Sequence, residues 1–130
     1  ISVKKKIMSV DQKEMRQALR RMSSAVDYVI GSVHAVTEEG QIVIASNSGS
    51  QLPTYAFNAN KVVLVAGTQK IVKNISEALE RIEKHSFPLE DKRALQAYGV
   101  HSAVNKILII KGDNAPGRIT LVLVKDKLGF

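Results

Sequence analysis

Residues Gly31 to Pro53 read GSVHAVTEEGQIVIASNSGSQLP, and the kind of fold follows from this stretch. An acidic glycine turn, Glu38-Glu39-Gly40, separates a β-rich run over Val26 to Val36 from a second run, Gln41 to Ala45. Two such runs across a glycine turn predict a hairpin. The second run empties into Ser46, Asn47, Ser48, Gly49, Ser50 and Gln51. Leu52 to Asn58 then predicts a short helix with Pro53 in its first turn. A buried strand that ends in small hydroxyl and glycine residues before a helix start is a common way to form a pocket for an anionic small molecule.

Towards the C-terminus, Lys61 to Ala66 (KVVLVA) is a continuous apolar run of the kind found in strands buried on both faces. Asn74 with Glu77 three residues later predicts a capping box, and Ile71, Ile75, Ala78, Leu79 and Ile82 share one face of the helix that follows. Pro88 predicts the end of that helix, and Leu89 to Tyr98 a second one terminated by Gly99. Two further strands, Lys106 to Lys111 and Arg118 to Val124, flank a turn over Gly112 to Gly117. Towards the N-terminus, Met8, Met15, Leu19 and Met22 recur at helical spacing. With Asp11 as N-cap they predict an amphipathic helix over 11–24 whose methionine stripe packs into the core.

Helices alternating with apolar strands predict one α/β domain over 1–130, its core in 26–130, built on a mixed, largely parallel sheet with helices on both faces. A right-handed crossover through 52–58 would make strands 41–45 and 61–66 parallel neighbours. Their carboxyl ends would then share one sheet edge, where open α/β sheets bind ligands. Two loops leave that edge, Ser46 to Gln51 and Gly67-Thr68-Gln69-Lys70.

There the hydroxyls of Ser46, Ser48 and Ser50 can donate, Gly49 lets the backbone approach closely, and Gln69 and Lys70 add an amide and a cation. This set suits a carboxylate or a phosphate. The plainer reading is a polar turn whose serines cap the next helix. The loop is not a P-loop, because the G-K-[ST] ending is missing, and no G-x-G-x-x-G occurs. Glu38 has the chemistry of a base or nucleophile, and His34, four residues earlier, that of a proton carrier. Their plainer readings are a solvated turn acid and a hydrogen-bonded strand histidine. In a simple hairpin Glu38 lies about 15–20 Å from Ser46, at the opposite end of strand 41–45. His34, His85 and His101 lack metal-ligand spacing, so no metal site is predicted.

The 130 residues carry a net charge of +7, but the first 22 hold seven basic against two acidic side chains, leaving +2 on the remaining 108. Basicity confined to one terminal segment, with no aromatic residue among the charges, reads as a solvated helix face and not as a nucleic-acid groove. No apolar run approaches the ~20 residues that span a bilayer. No apolar h-region follows Lys4-Lys5-Lys6, so the cytoplasm is the expected location. With no cysteine the chain can hold neither a disulfide nor a cysteine-ligated cluster, and no cofactor is predicted. The start at Ile1 in place of Met agrees with a fragment of a longer chain.

Three phrases carry a family likeness: GSVHAVTEEGQIVIASNSGSQLP, VAGTQKIVKNISEALERI (Val65 to Ile82) and NKILIIKGDNAPGRITLVLVKDKLGF (Asn105 to Phe130). They resemble the lactate-utilisation (LUD) domain family, from residue 8 onward. The resemblance implies the fold shared by coenzyme A transferases, ribose-phosphate isomerase and glucosamine-phosphate deaminase, without the further N-terminal α/β region of family members. An incomplete sheet with an exposed edge would favour association with a second copy or a partner subunit. Thr37-Glu38-Glu39-Gly40 is similar to the S-E-N-G signature of one group of coenzyme A transferases, which by position gives Glu38 the nucleophile's role, although Thr37 and Glu39 depart from that pattern. The resemblance implies a non-redox component of a lactate-to-pyruvate oxidation system, binding a small anionic metabolite or a partner subunit. The alternative is an independent enzyme that acts on a sugar phosphate or acyl-coenzyme A through Glu38.

Overall fold

The computed structural model describes residues 13–22 and 25–130. Helix α1 (Lys13–Met22) precedes strands β1 (Tyr28–Gly31), β2 (Ala35–Thr37) and β3 (Ile42–Ser46). A π-helical turn, Thr54–Asn58, leads to β4 (Lys61–Gly67), a short 3-10 turn over Thr68–Lys70, and β5 (Ile71–Val72). Helices α2 (Ile75–Arg81) and α3 (Phe87–Tyr98) follow, and then β6 (Lys106–Ile110) and β7 (Ile119–Val124). Strands and helices alternate as the pattern predicts, the fold is α/β, and three of the five strand pairings are parallel.

The strands form two sheets. One has the order β1-β4-β7 and is wholly parallel; the other has the order β5-β2-β3-β6. The expected pairing of 41–45 with 61–66 is therefore corrected. Strand β3 is flanked on both sides by antiparallel partners, β2 and β6, and has no free edge left for β4. The π-helical turn carries the chain from one sheet to the other. The β-rich run over 26–36 also divides, with β1 entering the parallel sheet and β2 forming the predicted hairpin with β3. The chain bends between them at Ser32 to His34.

The sheets pack face to face. Val36, Ile42 and Ile44 of the mixed sheet meet Val62, Leu64 and Ala66 of the parallel one. The opposite face of the hairpin, Ala35, Val43 and Ala45, packs on Ala78 and Ile82 of the helical layer. Strand β3 is thus buried on both faces, which explains its unbroken apolar run although its partners are antiparallel. Each fully buried Ile, Leu or Val here contributes about 1.5–3 kcal/mol relative to exposure. Gly31 is required by packing: a Cβ there would lie 1.9 Å from the Tyr55 hydroxyl oxygen.

Pro88 does not end the helical path. Residues 82–86 form a π segment in which Phe87 N–H reaches back to Ile82 O, and α3 starts at once. The wider turn takes up the slip that a missing proline N–H would otherwise leave as a break. Asn74 Oδ1 does cap α2 by accepting from Glu77 N–H at 3.0 Å, and Gly99 closes α3 with φ 69°. In α1, Met15 and Met22 are 52% and 70% exposed, so the predicted methionine core contact is absent at these two residues. Met8, Asp11 and the side chain of Leu19 lie outside what is described.

Candidate functional site

A cavity of about 330 Å³ opens where β3 ends, bounded by the bend at Ser32–His34, the 46–51 loop, Lys70, α3 and the segment before β6. His34, Ser46, Asn47, Ser48, Gln51 and Lys70 all line it. Two loops that the sequence placed on one sheet edge therefore do meet, although their strands belong to different sheets. Face-to-face packing of the sheets brings them together.

The serine loop satisfies most of its own polar groups. Ser46 Oγ donates to Gln51 Oε1 at 3.0 Å and accepts from Gly49 N–H at 2.9 Å. Ser48 Oγ donates to Ser50 Oγ at 3.2 Å and accepts from Ser50 N–H at 3.3 Å. Leu52 N–H is taken by Gly49 O. Gly49 supplies the positive φ of 77° that the turn needs, and neither Gly49 nor Ser50 lines the cavity. The five-residue π-helical turn begins after Pro53, which has no N–H, and Tyr55 N–H is used by Gln51 O. The amides of Gly49, Ser50, Leu52 and Tyr55 are thus all used within this segment. The loop's main work is to shape one wall.

Positive charge comes from elsewhere. Lys70 is 5% exposed, and its ammonium donates to Val33 O at 2.9 Å and Ser32 Oγ at 3.3 Å, both neutral acceptors. No carboxylate forms an ion pair with it among the described residues. Behind the wall, Arg81 NH1 donates to His34 O at 2.9 Å and to Ser86 Oγ at 2.7 Å. Burial and then the Arg81 charge push the Lys70 ammonium below its ordinary range. The one acid on the cavity wall among the described residues, Glu90, is held by Arg93 through two bonds of 2.6 and 2.7 Å.

His34 is fixed by its backbone surroundings. Ala45 N–H donates to its Nδ1 at 3.1 Å, so a side chain replaces a carbonyl at the end of the hairpin ladder. Burial, reinforced by Lys70 and Arg81, lowers its pKa to about 4. At neutral pH the ring is uncharged and Nε2 carries the proton. Nε2 is thus a hydrogen-bond donor with no partner among the described residues.

Gly67 and Gln69 act one step removed from the cavity. Gln69 Nε2 donates to Leu128 O at 2.9 Å, and its Oε1 is buried without a partner among the described residues. A Cβ on Gly67 would lie 2.6 Å from Asp126 O and 2.7 Å from Leu128 N. Together they seat residues 126–130, whose Phe130 lines the cavity. Glu38 stands on the exposed hairpin turn beyond the far end of β3, its N–H bonded to Val72 O, and does not line the cavity.

Sequence reasoning did not find Ser32, Ser86, Phe87, Glu90 or Phe130. None stands beside the Ser/Gly loop in the chain, and Ser86 and Phe87 become neighbours of His34 only because the helical path continues through the π segment. His101 pairs with Asp91 on the surface. No group of residues suited to a metal ion occurs among the described residues, and no helix there is long and apolar enough to cross a membrane.

Residues 2–129 match the family model described as the LUD domain. No curated protein and no solved structure matches the chain.

Proposed function

We propose that this chain, which belongs to the LUD domain family, binds a small anion in the His34–Lys70 cavity. Its family name suggests that it serves lactate or pyruvate metabolism, as a component without a redox centre of its own, beside partner subunits that move the electrons. The chain's lack of cysteine agrees with that division of work.

One observation carries the reading: a lysine ammonium is buried at the cavity with only neutral protein acceptors. A buried charge without a counter-charge is costly, and an anion entering the cavity would offset that cost. His34 Nε2–H adds a second, neutral donor. The same cavity gives no role to Glu38, so the reading of an enzyme built on that residue draws no support from the geometry.

Thermal unfolding with and without lactate, pyruvate or inorganic phosphate tests the proposal. A ligand at 100 times its Kd stabilises the fold by about 2.7 kcal/mol, which raises Tm by several degrees. Wild type should show such a rise with at least one of these anions, and Lys70→Met should lose it. A rise that survives Lys70→Met, or no rise with any anion, contradicts the proposal.

A further inference from the structure

We infer that the cavity's ligand is a monocarboxylate with a body larger than three carbons and an apolar or aromatic side chain, and not a phosphorylated molecule. This rests on the anion-binding reading above and narrows it.

The available donors favour a carboxylate. Lys70 has three N–H groups, two of which are committed to Val33 O and Ser32 Oγ, leaving one. His34 has its Nδ1 filled by Ala45 N–H, leaving the Nε2–H. Two donors match the two oxygens of a carboxylate. Phosphate sites usually present a run of free backbone amides. Here the amides of Gly49, Ser50 and Leu52 are bonded within their own loop, and the helical turn that follows the loop has only five residues, so it adds little N-terminal dipole.

Space and lining favour a larger body. The cavity of about 330 Å³ would hold roughly eleven waters at ~30 Å³ each, whereas lactate has six heavy atoms. It also falls at the lower end of the range of roughly 300–1,000 Å³ typical of organic-ligand pockets. Phe87, Val104 and Phe130, all half-buried, supply apolar wall that a three-carbon acid would leave uncovered. Each additional buried methylene tightens binding by about four-fold.

Isothermal titration of the full chain separates the cases, using pyruvate, 4-methyl-2-oxopentanoate, phenylpyruvate, inorganic phosphate and glycerol 3-phosphate. The branched and aromatic acids should bind about ten-fold or more tightly than pyruvate. Phe130→Ala should shrink that difference to less than about three-fold, with circular dichroism confirming that the variant is folded. Equal affinity for pyruvate and the larger acids overturns the inference on size. Tighter binding of phosphate or glycerol 3-phosphate overturns the carboxylate class while leaving the anion reading intact. Failure of every anion to bind overturns both.

Discussion

His34 shows how a residue read only by type acquires a definite chemical state in the fold. The ring titrates near 6.5 when unfolded and at about 4 in the folded protein. As pH falls from about 6.5 the unfolded chain takes up the proton first, so the fold loses stability down to about pH 4 and loses no more from this ring below that. The full difference corresponds to about 3 kcal/mol. Urea unfolding at pH 7 and pH 4.5 should therefore show a smaller drop in stability for His34→Gln than for wild type; equal drops would contradict the assignment. Lys70 and His34 were legible as candidate residues because cations and imidazoles advertise their chemistry. The burial that makes them informative was not, since it depends on Val33, Ser32 and Ala45 arriving from another part of the chain. Gln69 illustrates the opposite case. Its amide looks like a ligand group in the sequence, yet in the fold it holds Leu128.

At the scale of elements, local signals were read well wherever a short-range rule governs them. Asn74 accepts from Glu77 N–H as expected, but Glu77 Oε2 accepts from Lys73 N–H at 2.9 Å, one residue beyond the Asn74 amide that a reciprocal box would use. Replacing Asn74 by alanine removes the acceptor from an exposed helix start and should cost about 1 kcal/mol in denaturant unfolding. A loss below about 0.3 kcal/mol would show that the cap contributes little. Pro88 misled for a physical reason. Proline forbids an ordinary α-helical continuation, but a π segment is an alternative that residue pattern does not announce. That continuation carries Ser86, Phe87 and Glu90 to the cavity, so the misreading of one element concealed a whole wall of the site.

At the scale of the whole molecule, strand periodicity decides which side chains are buried but not which strand lies alongside. Lys61 to Gly67 and Ile42 to Ser46 were each recognisable as strands, whereas their division between two sheets was not. The loops after them still converge, because Val36, Ile42 and Ile44 on one sheet pack against Val62, Leu64 and Ala66 on the other. On the function proposed above, this packing assembles an anion site around a neutral histidine and a buried lysine. It is tested by ¹⁵N spectroscopy of histidine-labelled protein at pH 7, titrated with pyruvate and with 4-methyl-2-oxopentanoate in a buffer free of other small anions. The chain has three histidines, so the signals are few. The Nε2–H resonance of His34 should shift and saturate while those of the exposed His85 and His101 stay in place. A His34 signal unmoved by either acid, or shifts confined to the two surface histidines, would contradict the anion site.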